Sequence, residues 1–231
     1  MTFTLPATQR PPVDGAVEQL TALGIPDDAA ALWGTTDGLL LGDGIEVCTA
    51  ADVVKAAKLW LEDPWHPTAE LAGLIPFTEA NDSDPFCIAT AEPIRGWVIR
   101  AYHDGTGEQV VALSLSDFLE SIAQRGVEPF FDERNFHVER TPDTIDAADK
   151  LLTKWDGDSP EALSAFLPLL SEESLARLAA DIDFVDDDFI DVVAKLGLTS
   201  LKPVLTKTLV DCPAGGQRDH LLQRVDGIVC P

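Results

Sequence analysis

Asp82 and Asp84 lie one residue apart, and Cys87 follows Asp84 three residues later. Close carboxylates are typical of calcium loops, and a thiol beside a carboxylate could belong to a catalytic site. A calcium loop beginning at Asp82 would need an oxygen ligand at its fifth position, glycine at its sixth and glutamate at its twelfth. The sequence places Phe86, Cys87 and Pro93 at these positions. The calcium interpretation therefore fails, and we predict a turn between two strands whose aspartates face water.

Zinc sites and nucleophilic catalysis also lack their sequence patterns. Zinc would need closely spaced histidines and cysteines, whereas the histidines are isolated: His66, His103, His137 and His220. Cys87 lies in the alternating stretch Phe86-Cys87-Ile88-Ala89, where a thiol packs as a small apolar side chain. No phosphate-binding glycine loop is present. We predict no metal, no cofactor and no enzymatic activity; a hydrolase using Cys87 or the Asp82 and Asp84 pair is the alternative.

The net charge restricts the kinds of partner that the chain can bind. The sequence has 40 acidic and 16 basic residues among 231, a formal net charge of −24. Such a field repels phosphate backbones and anionic membranes and attracts basic proteins. We therefore expect a basic protein partner, with neither direct nucleic-acid binding nor membrane binding. The alternative is that the charge serves only solubility.

Export and membrane signals are missing from the sequence. The first dozen residues lack the apolar segment of a signal peptide, and no run of about 18 apolar residues occurs. The cysteines have no paired spacing that would indicate a disulfide framework: Cys48, Cys87, Cys212 and Cys230. We expect a cytoplasmic protein with reduced thiols.

Helix and strand signals alternate up to residue 126. Residues 50–62 predict a helix that begins with a capping box formed by Thr49 and Asp52. One face of this helix is expected to consist of Val53, Ala57, Trp60 and Leu61. The Asp-Gly turn at 104–107 predicts a hairpin between strands at 97–103 and 108–113.

The chain changes character after residue 126. Residues 127–140 show no periodicity, and amphipathic helices follow, with cap-then-proline starts at Thr141-Pro142 and Ser159-Pro160. We predict an arm at 1–13, an α+β domain at 14–126, a connector at 127–140, and a helical bundle or an array of helical hairpins at 141–231.

An ordered set of short motifs spans the first half of the chain. Its members are Leu23-Gly24-Ile25-Pro26, Trp33, the Asp37-Gly38 turn, the helix at 50–62, Ile75-Pro76-Phe77, the Asp82/Asp84 turn, Phe86-Cys87-Ile88, the hairpin, and the helix start at 114–119. This order resembles the SUKH superfamily, which groups fungal cell-wall-synthesis regulators with bacterial immunity proteins, over about residues 14–124. The resemblance implies an α+β fold with a mixed or antiparallel sheet flanked by helices, and the all-α region follows outside it. Phe77, Phe86 and Ile88 are the expected core residues of the strands.

The resemblance also implies a function. Bacterial members look like non-enzymatic antidotes that bind and neutralise a toxin, often a nuclease. The charge agrees with this expectation, because nucleases are commonly basic and an acidic antidote associates faster with them. The candidate partner contacts are Glu79, Asp82 and Asp84 on the turn, and Asp104 and Glu108 at the hairpin. The alternative is a regulatory scaffold of the cell-wall-synthesis-regulator type that recruits a cellular partner.

Overall fold

The computed structural model describes residues 10–42, 45–62, 67–79, 84–102, 108–126, 128–131, 137–155, 157, 159–213 and 215–229. Contacts divide the chain into two compact units. The first unit comprises Met1–Glu139 and Lys150–Ala165, and the second comprises Arg140–Asp149 and Phe166–Pro231. The first unit is therefore discontinuous in sequence, because residues 150–165 return to it after residues 140–149, which belong to the second unit.

The elements up to residue 126 are short helices and strands. The helices are α1 (Ala16–Ala22), α2 (Asp27–Ala30), α3 (Ala50–Glu62), α4 (Pro67–Ala72) and α5 (Leu115–Arg125). The strands are β1 (Leu39–Gly42), β2 (Ile45–Val47), β3 (Leu74–Pro76), β4 (Thr78–Glu79), β5 (Phe86–Ala89), β6 (Val98–Arg100) and β7 (Gln109–Ala112). The predicted helix at 50–62 is confirmed by α3.

The strands form two antiparallel sheets, with the orders β1-β2-β4 and β3-β5-β6-β7. The pairing of β6 with β7 confirms the predicted hairpin strands, whereas its turn at 104–107 lies outside the described residues. The α+β prediction is confirmed, because helices and antiparallel sheets occur together in the fold.

An aromatic cluster forms the centre of the first unit. The ring centroids of Phe86 and Phe118 are 4.7 Å apart, and those of Phe118 and Phe130 are 5.4 Å apart. Such pairs contribute about 0.5–1.5 kcal/mol each beyond the burial of their area. Phe77, Phe86 and Ile88 are all buried, as predicted. Phe130 belongs to a 3-10 turn at Glu128–Phe131, so the segment predicted as a connector supplies a core residue.

Helix α5 shows how local sequence places this core. The Ser114 hydroxyl accepts a hydrogen bond from the Asp117 backbone N–H at 3.1 Å, which satisfies one unpaired donor of the first turn. Apolar residues at helical spacing then face inward: Leu115, Phe118, Leu119 and Ile122 are buried. Gly126, with φ of +73°, follows the helix directly.

The second half of the chain is helical where it is described. Its elements are α6 (Pro142–Leu152), a 3-10 helix (Pro160–Leu169), α7 (Glu172–Leu178), a 3-10 turn (Ile182–Phe184), α8 (Asp187–Lys195), a 3-10 turn (Thr199–Leu201), α9 (Lys202–Val210) and α10 (Gly216–Gly227). Ser171 caps α7 and Asp186 caps α8 through their side-chain oxygens. Across the described part of the chain, no helix is both long and apolar enough to cross a membrane.

Candidate functional site

A groove of about 440 Å³ opens between helix α3 and the ends of strands β2, β3 and β4. It lies in the first unit and combines carboxylates, a thiol and apolar side chains. Its lining consists of Cys48, Asp52, Lys55, Ala56, Leu59, Trp60, Pro76, Thr78, Glu79 and Pro85. This mixture suits a ligand that has both a cationic and an apolar part.

One wall of the groove is a single stripe of helix α3. Its members are Asp52, Lys55, Ala56, Leu59 and Trp60, which follow the i, i+3, i+4, i+7, i+8 spacing of one helix face. The core face of the same helix is carried by Val53 and Ala57, which are fully buried. Leu59 is 60% exposed, so the groove presents a large apolar side chain to solvent.

The start of helix α3 is held by two predicted motif residues, Trp33 and Asp37, and by its own capping box. The Asp52 backbone N–H donates to the Thr49 hydroxyl at 3.2 Å, which confirms the predicted cap. The Asp37 carboxylate accepts from the Ala50 N–H at 2.8 Å, and the Trp33 indole N–H donates to the Cys48 carbonyl at 2.9 Å. Trp33, which is buried, and Asp37, which is half-buried, therefore fix the backbone on both sides of Thr49, where the groove begins.

Gly38 is required by the same local arrangement. Its φ is +100°, a region that L-residues with side chains rarely adopt, and a Cβ there would lie 2.9 Å from the Val47 carbonyl oxygen. The motif residues Trp33, Asp37 and Gly38 thus position the groove through backbone contacts rather than through direct contact with a ligand.

At the opposite wall, strand pairing brings Glu46 beside Glu79, and Glu79 is the one that lines the groove. Strands β2 and β4 are antiparallel, with Val47 opposite Thr78 and Glu46 opposite Glu79. Directly opposed like charges destabilise a sheet. The Arg10 guanidinium lies 2.8 Å from the Glu46 carboxylate and offsets part of this repulsion, although solvent weakens the pair because the side chains are 56% and 39% exposed. The Glu46 and Glu79 pair therefore leaves negative charge at the groove.

Cys48 reports the electrostatic potential of the groove. The pKa of its thiol is raised from 9.0 to about 12, mainly by burial and also by the negative charges of Glu79, Asp52 and Glu46, whereas Arg10 acts to lower it. The thiol therefore stays protonated at neutral pH and is a weak nucleophile there. The same three carboxylates that disfavour a thiolate would favour a cation in its place.

Glu79 is one of the five predicted partner contacts, and it is exposed on the groove wall. Asp84 is not on the surface: it is 6% exposed, and its carboxylate lies 3.5 Å from a guanidinium nitrogen of Arg100, which is also buried. The expectation that Asp84 faces water is wrong. Strand β6 places Arg100 opposite Phe86, two residues after Asp84, and the buried cation compensates the buried carboxylate.

The prediction that Glu108 contacts a partner at the surface is also wrong. It is 2% exposed, and its carboxylate accepts a hydrogen bond from the Ser164 hydroxyl at 2.7 Å. Ser164 belongs to the segment that returns to the first unit, and no local pattern around Glu108 could reveal that partner. The remaining candidates, Asp82 and Asp104, lie outside the described residues.

The other predicted motif residues form the strands behind the groove. Ile75, Phe77, Phe86 and Cys87 are fully buried, and Pro76 is buried while also contributing to the lining. Burial raises the pKa of the Cys87 thiol well above its ordinary value, and Glu108 adds to the shift. Cys87 is therefore a protonated core side chain. Within the described ranges, no group of three or more His, Cys, Asp or Glu side chains is arranged to hold a metal ion.

Sequence reasoning missed most of the groove. The sequence predicts Asp52 only as part of a helix cap and Trp60 only as part of the core face, and it predicts no site that includes Cys48 or Leu59. One signal for the groove is present in the sequence: Leu59 is a large apolar residue on the face of α3 opposite to solvent-shielded Val53 and Ala57. Comparisons with family models, with curated proteins and with solved structures find no match to this chain.

Proposed function

We propose that the protein is a non-enzymatic binding protein of the SUKH immunity type, which acts in the cytoplasm and neutralises a basic, nuclease-type toxin. The observation that carries this proposal is the groove of the first unit, where Glu79 and Asp52 lie beside exposed Leu59. Acidic and apolar groups in one concave surface are suited to a basic protein surface that also has apolar side chains.

The net charge supports the proposal independently of the groove. A formal charge of −24 attracts a basic partner over distances beyond direct contact and raises the association rate. Rim charges act mainly on this rate, whereas groups buried in the interface act mainly on dissociation. We expect the association rate constant to fall steeply between low and physiological salt, because the Debye length shortens to about 8 Å.

Co-expression tests the proposal directly. The chain should restore growth to cells that express the toxin encoded beside its gene, and the two proteins should purify as a complex. Absence of both rescue and complex would overturn the proposal. The regulatory scaffold makes the opposite prediction: a stable partner should be captured from a host that carries no such toxin, and the neighbouring gene product should not bind.

A further inference from the structure

We infer that the groove binds one arginine or lysine side chain of the partner between Asp52 and Glu79, and one apolar side chain of the same segment against Leu59. This inference rests on the proposed function and specifies the chemistry of the partner segment. The groove provides the two kinds of contact at its two ends, since Asp52 lies in the first turn of α3 and Leu59 in its last part.

The cationic half follows from the arrangement of the carboxylates. Glu79 lies directly opposite Glu46 in the β2–β4 pair, and Asp52 faces the same groove from α3. A cation placed between Asp52 and Glu79 would offset part of the repulsion between Glu79 and Glu46 and gain charge-assisted hydrogen bonds. Lys55 lies on the same stripe of α3, between Asp52 and Leu59, and its positive charge offsets the carboxylates there. The most acidic end of the groove is therefore the end near Cys48, where Asp52 and Glu79 lie.

The apolar half follows from the surroundings of Leu59. This side chain is 60% exposed and shares the lining with Ala56, Pro76 and Pro85. Covering a leucine with an apolar side chain contributes about 25 cal/mol for each Å² removed from water. Because Leu59 and the carboxylates line one groove, a single segment can reach both.

The geometry of α3 sets the spacing of the two side chains. Asp52 and Leu59 are seven residues apart, which corresponds to about 10 Å along a helix axis. An extended segment covers about 10 Å in three residues, at roughly 3.3 Å per residue. The partner segment should therefore carry its cationic and apolar residues three positions apart when it binds in an extended conformation.

Peptide titrations test the spacing with the full-length chain. The probe is a short synthetic peptide with arginine and leucine three positions apart in a glycine–serine background, followed by two-dimensional NMR of the labelled protein. We expect saturable shifts at the backbone amides of Cys48, Leu59 and Glu79. Replacing the arginine by citrulline, replacing the leucine by serine, or placing the two side by side should each weaken binding about tenfold.

Variants of the protein test the site. Asp52→Asn with Glu79→Gln should weaken binding of the probe about tenfold, and Leu59→Ser should have a similar effect. The matched control is Asp14→Asn with Glu18→Gln, which changes the net charge equally at exposed positions outside the groove lining. If the double variant disturbs the cap of α3, Glu79→Gln alone replaces it as the test, because Glu79 has no part in that cap.

Three results of the peptide titrations would overturn the inference. The first is the absence of saturable shifts, and the second is an equal loss of binding in the groove variant and its charge-matched control. The third is spermidine that binds the same amides as tightly as the probe, because a polyamine has no apolar side chain. If the groove variant still neutralises the toxin, this inference fails and the proposed function stands. If the intact chain does not bind the toxin at all, the proposed function fails whatever the peptide does.

Discussion

Glu79 and Asp84 lie five residues apart in the sequence, and both were expected on one water-facing turn, yet they occupy opposite environments. Glu79 is exposed on the wall of the groove and lies opposite another glutamate. Asp84 is buried against Arg100, whose guanidinium also donates to the Phe130 carbonyl at 3.1 Å. Glu79 therefore adds negative charge to a surface, whereas Asp84 takes part in a buried ion pair that links strand β6 to the 3-10 turn at Glu128–Phe131. Their substitutions should differ in sign.

The largest expected effect comes from removing the buried cation. Arg100→Met leaves the Asp84 carboxylate buried without its guanidinium, and we expect the free energy of unfolding to fall by about 3 kcal/mol or more. Urea denaturation measures this loss. Adding Asp84→Leu to Arg100→Met should recover part of it, because the Asp84 carboxylate that lost its guanidinium is then removed as well. A loss of about 1 kcal/mol or less, the size of an exposed pair, would contradict this contrast between Asp84 and Glu79.

The backbone that holds the groove should be the next most sensitive feature. Gly38→Ala places a Cβ 2.9 Å from the Val47 carbonyl oxygen at a φ of +100°, and we expect a loss of about 2 kcal/mol in urea denaturation. Gly15→Ala is the control, because its φ of +79° and ψ of 1° lie in the left-handed region, but a Cβ there meets only the Gln19 side-chain nitrogen, at an ordinary 3.8 Å. It should lose about 1 kcal/mol from conformational strain alone. Equal losses would show that the close approach to Val47 does not matter.

Glu79→Gln should have a small effect of the opposite sign. Removing one of two opposed like charges should raise the free energy of unfolding by about 0.5 kcal/mol while the affinity for the partner falls. Chemical denaturation and partner titration of the same preparation measure the two changes. Glu46→Gln relieves the same repulsion but loses the Arg10 ion pair, so its stability should change little. A destabilised Glu79→Gln protein would show that this carboxylate has a structural role.

The pH response of Cys48 leaves stability at neutral pH unchanged and is confined to alkaline pH. In the folded state its pKa is raised from 9.0 to about 12, so the folded protein keeps the proton while the unfolded chain loses it. The stability that this difference contributes is fully present below pH 9 and is lost as the pH rises towards 12. Cys48→Ser should therefore flatten the fall in stability with pH over this range. A fall of unchanged slope would mean that other groups cause it.

The carboxylates of the groove can be tested with the same thiol. In a Cys212→Ser, Cys230→Ser background, the rate of Cys48 alkylation by iodoacetamide reports its thiolate fraction. Asp52→Asn with Glu79→Gln should lower the pKa and speed the reaction near pH 9, because two groups that raise the pKa are removed. Asp14→Asn with Glu18→Gln should leave the rate unchanged. Equal rates in all three proteins would contradict the electrostatic description of the groove.

Much of the local structure was predictable because its causes are local. Thr49 and Asp52 begin α3, a helix begins within the expected residues 114–119, and the strands β6 and β7 pair as a hairpin. In each case the hydrogen-bonding groups or the apolar pattern lie within a few residues of one another. The groove was less predictable, because Glu79 and Asp52 belong to different elements and only strand pairing places Glu46 opposite Glu79.

The sequence by itself determined the α+β character, the starts of these helices, the burial of Phe77, Phe86 and Ile88, and the net charge of −24. Only the tertiary structure decided which carboxylates face solvent. Asp84 is buried because β6 brings Arg100 to it from sixteen positions away, and Glu108 because Ser164 reaches it from fifty-six positions away. The desolvation of a carboxylate is offset only where such a partner arrives, and that depends on long-range chain pairing rather than on neighbouring residues.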